Sequence, residues 1–333
     1  MSTPTPLTTK TYTYKTQPPP SSLSILATAH YLPAYTGAYT GANSPLRPIT
    51  LCFHGGGFII GHKDAIPKAE VDFLARDHGF VVVSVDYSLC PQVSLREGPM
   101  RDTEDAYRWC REVLPGLLAG EEDGVEVDGK RVGVLGYSAG GLLATSTAFL
   151  PNPPSAIVDF YGSKYLRDPW WTLPNANKPV PDFPPEFTNQ VFSTSTIPTS
   201  FPILPPTSPD FIMTPRLACL LGGIKDGSSI KKLMKDESDY ETVDSAARWN
   251  APGGVQNFKG KTGVCFVHGD SDELVPVELA ERAVRELRGL GVEAELVLAK
   301  GGLHGFDSDI LEGREGSHWG EVERALGWLV ERV

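Results

Sequence analysis

Three residues far apart in the chain, Ser138, Asp272 and His304, have the types and settings that nucleophilic acyl transfer requires. Ser138 stands in "VGVLGYSAGG", an apolar run that ends in a G-x-S-x-G frame with Gly136 and Gly140 two residues to either side. A serine hydroxyl is a poor nucleophile until a base removes its proton, and the base needs a carboxylate to fix its tautomer and stabilise the imidazolium. "VHGDSDELVP" offers Asp272 just after an apolar run, with Asp270 as the rival acid. "GGLHGFD" offers His304 after the next run, and Asp307 as a weaker rival acid. The chain order serine, acid, histidine suits a nucleophile carried on a strand-to-helix corner. A fourth piece, "HGGGF" from His54 to Phe58, sets consecutive glycines after a strand, where a backbone without side chains can approach a ligand closely. Gly55 and Gly56 are expected to donate their N–H groups to an oxyanion, with Gly57 as an alternative and Ala139 completing the hole. His54 reads as a residue that orders this loop. Of the other histidines, His30, His62, His78 and His318 have no evident partner, and His268 precedes a glycine at a strand end.

These residues must be placed by the elements around them. "TYTYKT", "LSILATAHYL" and "PITLCFH" read as three strands separated by Gly, Pro and Ser. Phe80 to Val85 make a continuous apolar run, as in a strand buried on both faces. "RDTEDAYRWCREVL" sets Ala106, Trp109, Cys110 and Leu114 at helical spacing. "KRVGVLG" and "SAIVDFYG" are further strands, with a small-residue helix, "GGLLATSTAFL", between them. The alternation predicts an α/β fold: a mostly parallel central sheet with helices on both faces. It breaks at about Ser163 and resumes after Lys261 with strand "GVCFVHG", helix "PVELAERAVRELRGL", strand "AELVLAK" and helix "HWGEVERALGWLVERV".

The expected organisation is therefore one core, residues 1–162 and 262–333, interrupted by an inserted cap over 163–261. The cap segment is rich in Pro, Thr, Ser and aromatics, with helices expected near "TPRLACLLGGI" and "SSIKKLMKDES". Its aromatics, Trp170, Trp171, Phe183, Phe187, Phe192, Phe201 and Phe211, read singly as the cap's own core rather than as a binding wall.

At 333 residues, with 41% hydrophobic and 21% charged, the composition is that of a soluble globular protein. A net charge of -11 argues against a nucleic-acid partner, since a phosphate backbone is held by a surplus of Lys and Arg. No stretch has the length and apolarity of a membrane span, and the first twenty residues lack a secretory apolar core. Five scattered cysteines, Cys52, Cys90, Cys110, Cys219 and Cys265, show no paired spacing and read as buried free thiols. A cytoplasmic protein is expected.

As a set, "HGGGF", "GYSAGG" and "VHGDSDELVP…GGLHGF" resemble the α/β-hydrolase superfamily, and within it the hormone-sensitive-lipase-like esterases. "VVVSVDYSLCPQ" and "DTEDAYRW" are similar to segments of that group, so the resemblance covers roughly 48–162 and 262–333. It implies the α/β-hydrolase fold, a Ser138–His304–Asp272 triad, and no metal or organic cofactor. Tyr137 stands where the group usually has an acidic or small residue, and Ser88, Cys90 and Gln92 replace the Arg, Ala and Glu of its D-Y-R-L-A-P-E segment. Divergent relatives of this kind look fungal, some encoded beside polyketide or peptide biosynthetic genes. The activity implied is a serine carboxylic-ester hydrolase working on a small to medium acyl ester through an acyl-enzyme. The alternative is a thioesterase, or a tailoring hydrolase or cyclase, acting on a secondary-metabolite intermediate. A hormone-receptor relative would lack the serine or the histidine, and both are present. The partner expected is a small-molecule ester or thioester, with homodimer formation left open.

Overall fold

Four of the apolar runs become strands in which every residue is buried: β3 (Arg47–Phe53), β4 (Val81–Val85), β6 (Ala156–Phe160) and β7 (Gly263–Gly269). Strands of this kind need cover on both faces, and the chain supplies it with helices between them. The computed structural model describes residues 5–19, 21–35, 46–174, 180–202, 204, 207–310 and 314–333; residues 175–179, 203, 205 and 206 of the expected cap lie outside these. In chain order the remaining strands are β1 (Thr8–Thr16), β2 (Ser24–Tyr31), β5 (Val127–Tyr137) and β8 (Ala294–Ala299). The sheet order is β1-β2-β4-β3-β5-β6-β7-β8. From β4 to β8 every neighbour is parallel, while β2 runs antiparallel to both β1 and β4. This is the mostly parallel α/β sheet expected from the alternation. The edge strand β1 shows why it can be an edge: Tyr12 and Tyr14 turn inward onto Trp109, at 5.9 and 6.4 Å between ring centroids, while Thr9, Thr11, Thr13 and Thr16 take the wetter side.

Helices α1 (Lys68–Asp72), α2 (Arg101–Glu112), α3 (Leu114–Ala119) and α4 (Ala139–Ser146) lie between β3 and β6. Between β6 and β7 come α5 (Pro185–Thr188), α6 (Pro215–Asp226), α7 (Ser238–Val243) and α8 (Ser245–Asn250), and beyond β7 come α9 (Val277–Gly289) and α10 (Trp319–Val330). Residues of α2, α4 and α9 close one face of the sheet, and those of α1 and α10 close the other. The five cysteines are buried and unpaired. No helix among the described residues is long and apolar enough to cross a membrane.

The helix expected near "TPRLACLLGGI" forms as α6, with Thr214 accepting the Leu217 N–H at 3.2 Å at its start, Pro215 in the first turn and Gly227 left-handed (φ 74°) at its end. The helix expected over "SSIKKLMKDES" does not form. Only a short 3-10 turn, Lys231–Leu233, precedes α7, because Asp226 accepts the Ser228 N–H and Asp236 the Ser238 N–H, each at 2.8 Å. Such side-chain turns compete with the helical ladder. Arg216, buried at the start of α6, donates to the carbonyls of Ile59 (2.8 Å) and Cys90 and to the Gln92 side chain. Gln92 thus has a charged partner from the far segment, and Ser88 accepts from Gln17 at 2.9 Å.

Candidate active site

The sequence "GYSAGG" becomes a corner that only its glycines permit. A Cβ on Gly136 would stand 2.0 Å from the Gly140 carbonyl oxygen, and one on Gly140 would stand 2.1 Å from that of Phe53. With those approaches open, β5 turns directly into α4 and Ser138 is left at φ 53°, ψ −116°, a region an L-residue rarely occupies. The Ser138 N–H donates to the Phe160 carbonyl at 2.8 Å, which ties the corner to β6.

Ser138, Asp272 and His304 follow the carboxyl ends of β5, β7 and β8, and the structure brings them together. His304 Nε2 lies 2.9 Å from Ser138 Oγ, and its Nδ1 lies 2.8 Å from Asp272 Oδ2. Because Nδ1 faces a carboxylate, it carries the hydrogen and leaves Nε2 as the acceptor toward the serine. Asp272 has a fully buried side chain, and its Oδ1 accepts the N–H groups of Leu274 and Val275 at 2.8 and 2.9 Å. Burial pushes its carboxyl up, but the histidines His268 and His304 and the backbone donors outweigh that and hold it well below the usual carboxylate range.

The rival acids have other partners. Asp270 Oδ1 accepts the Gly301 N–H at 2.6 Å, bracing the loop that carries His304. Asp307 Oδ1 accepts the Tyr161 hydroxyl at 2.6 Å, and the Tyr161 ring meets the His304 ring edge-on at 4.8 Å between centroids. Gly55 lies against Ser138, since a Cβ there would be 3.3 Å from Ser138 Cβ. Gly55, Gly56 and Gly57 all border the cavity above Ser138, and Ala139 is the first residue of α4. His54 orders the loop as expected of it: the ring is buried, stacks on Tyr87 at 4.2 Å, and bonds the Gly55 carbonyl through Nδ1 at 2.7 Å. Its burial lowers the imidazole pKa to about 4.

Two residues that the sequence reading did not single out belong to this neighbourhood. Glu70, from α1, has a buried carboxyl whose Oε2 accepts the Tyr137 hydroxyl at 2.5 Å. Burial and the nearby Asp307 charge raise its pKa well above the ordinary value, against the Tyr137 bond. Tyr137, stacked on Phe160 at 5.0 Å, thereby connects an acid to the position where related elbows often carry one themselves. The second is His268, whose Nε2 lies 3.2 Å from Asp272 Oδ2. The sequence showed only that it precedes a glycine at a strand end.

A cavity of about 870 Å³ opens over Ser138 and His304. Its walls come from the HGGGF loop on one side and from Trp170, Trp171, Leu217, Leu220 and Ile224 on the other. Of the seven aromatics noted between β6 and β7, Trp170 and Trp171 reach the cavity; Phe201 packs beside Arg216, and Phe192 is half exposed. No Lys or Arg is among the residues lining it, and most of the lining is apolar, so the described walls do not favour an anionic group.

Residues 50–165 match a family model for the alpha/beta hydrolase fold. A non-reducing polyketide synthase of Penicillium roqueforti is 33% identical over 286 residues, which is 78% of this chain and 11% of the synthase. The chain spans 11–13% of the length of the curated relatives it matches. Carboxyl esterase 2 of the mycorrhizal fungus Tuber melanosporum superposes with a TM-score of 0.59 at 20% identity, covering 99% of this chain and 89% of that one. A thermostable esterase of Pseudomonas putida gives 0.61 at 18% identity, covering 98% and 83%.

Proposed function

We propose that the chain, which has the alpha/beta hydrolase fold, cleaves acyl esters or thioesters through an acyl-enzyme on Ser138. The observation that carries this is the continuous path from Ser138 Oγ to His304 to Asp272, at 2.9 and 2.8 Å, with the serine held at φ 53°. Ser138 Oγ attacks the carbonyl carbon while His304 Nε2 takes its proton, and Asp272 stabilises the imidazolium. The N–H groups of Gly55, Gly56 and Ala139 hold the oxyanion, helped by the amino end of α4. Collapse of the tetrahedral intermediate expels the alcohol or thiol, which leaves with the proton from His304. Water, deprotonated by the same imidazole, then attacks the acyl carbonyl, and the acid departs as Ser138 regains its hydrogen. The segment 163–261 serves as the cap that forms one wall of the acyl pocket.

The size and apolarity of the cavity favour a bulky, neutral acyl group. A thioester of a polyketide-type acyl chain is the form favoured by the curated relatives, which are polyketide synthases. The test is hydrolysis of p-nitrophenyl esters of graded acyl size beside the matching N-acetylcysteamine thioesters, for wild type and Ser138→Ala. Wild type is expected to prefer bulky acyl groups, and the alanine variant to lose about a thousandfold or more. Equal turnover by the two proteins would overturn the reading.

A further inference from the structure

His268 sits near the end of β7, fully buried, among Val264, Cys265, Phe266 and Val267. An aliphatic side chain would serve such a strand better, because an imidazole in the core must have its ring nitrogens satisfied or bear the cost. One is not satisfied: Nδ1 has no hydrogen-bond partner among the described residues. The other faces two acceptors. Nε2 lies 2.9 Å from the Val275 carbonyl oxygen and 3.2 Å from Asp272 Oδ2. Nε2 therefore carries the hydrogen and shares it, chiefly with the carbonyl and at longer reach with the carboxylate.

The two acceptors are the ends of one turn. Asp272 Oδ1 takes the Leu274 and Val275 N–H groups from inside that turn, and Oδ2 takes His304 and the edge of His268. Remove His268, and Oδ2 is held only by the imidazole it is meant to hold, while the Val275 carbonyl loses a donor. The carboxylate then has room to rotate, and the tautomer and direction of His304 are set less sharply.

We propose that His268 is a positioning residue for acyl transfer, fastening the Asp272 carboxylate and its turn so that Oδ2 stays aimed at His304. The inference rests on the triad reading above. It assigns to a strand histidine, beneath the acid and out of reach of substrate, part of the rate of Ser138 acylation.

The experiment compares His268→Gln, whose side-chain amide can place an N–H near the Nε2 position, with His268→Leu, which fills the space without a donor. His268→Asn, whose amide stops near the Nδ1 position, replaces the leucine variant should that fail to melt cooperatively. The readouts are the rate at which a small fluorophosphonate labels Ser138, and kcat and KM on a p-nitrophenyl ester. The leucine or asparagine variant is expected to label and turn over about 10- to 100-fold more slowly, the worth of one hydrogen bond to a charged group, with KM changed less than threefold. The glutamine variant is expected to recover to within about threefold of wild type. Leucine or asparagine variants within twofold of wild type would overturn the proposal, and so would a glutamine variant as slow as leucine, which would make packing the cause. Ser138→Ala, run alongside, separates the two readings: if it too stays active, the triad reading has failed rather than the role of His268.

Discussion

Asp272 and Glu70 are two buried carboxyls near Ser138, one bonded to His304 and one to Tyr137, and their pKa values are pushed in opposite directions. Asp272 has a 0% exposed side chain and Glu70 is 1% exposed, so burial alone would push both toward the protonated form. Asp272 meets two backbone N–H groups and two imidazoles, and is held ionised. Glu70 meets one tyrosine hydroxyl and the field of Asp307, and its pKa is pushed well up. The number of donors, not the depth of burial, decides the charge. Asp272 is placed against the His304 ring. Glu70 steadies Tyr137, the residue before the serine.

The largest effect expected breaks the charged side. Asp272→Asn keeps the shape but cannot hold His304 in the same tautomer, and kcat on a p-nitrophenyl ester should fall about 10³- to 10⁴-fold. Glu70→Gln, its counterpart, should leave kcat within about threefold, because a group already protonated loses little as an amide. A loss as large as that of Asp272→Asn would place Glu70 in the chemistry and dissolve the comparison.

The same pair differs in how stability answers to pH. The folded pKa of Glu70 is raised above its unfolded value near 4.3, so its contribution is fully present below that pH and is lost as pH rises through the folded value. Glu70→Gln removes this loss. Its melting temperature should gain on wild type progressively above about pH 4, and a constant gap from pH 4 to 9 would contradict the assignment.

Asp86 offers a milder version of the same state. Burial raises its pKa to about 6, against the Lys63 N–H that its Oδ1 accepts at 2.8 Å. Asp86→Asn keeps that acceptor, and chemical denaturation should show a relative gain of about 3 kcal/mol that develops between about pH 4 and 6 and is flat above. The smallest effect tests the tyrosine. Tyr137→Phe should cost about 1 kcal/mol at pH 7 if it bonds a protonated acid, and about 2–3 kcal/mol if the acid is charged.

Much of this site was legible in the sequence because its parts follow strands. Ser138, Asp272 and His304 each come within a few residues of a continuous apolar run, and a parallel sheet brings the carboxyl ends of such runs to one edge. The glycines of "GYSAGG" and "HGGGF" marked where backbone must pass close to backbone. His268 was hidden because its residue number placed it inside a strand, where its reach to Asp272 depends on how the 270–276 turn folds back. Glu70 was hidden for a different reason. It comes from α1, a separate helix whose acids look solvated in sequence, and only packing brings it under Tyr137. The missing helix over 228–238 reflects local competition, with Asp226 and Asp236 offering acceptors that a tally of helix formers does not weigh.

The central claim is the covalent one, that the acyl group passes through Ser138. It is tested most directly by the intact mass of the protein quenched in acid during turnover of a slow acyl ester. One acyl group per chain, mapped to the peptide that carries Ser138 and absent from Ser138→Ala, is the result expected. Turnover that leaves no acyl adduct and persists in Ser138→Ala would contradict it.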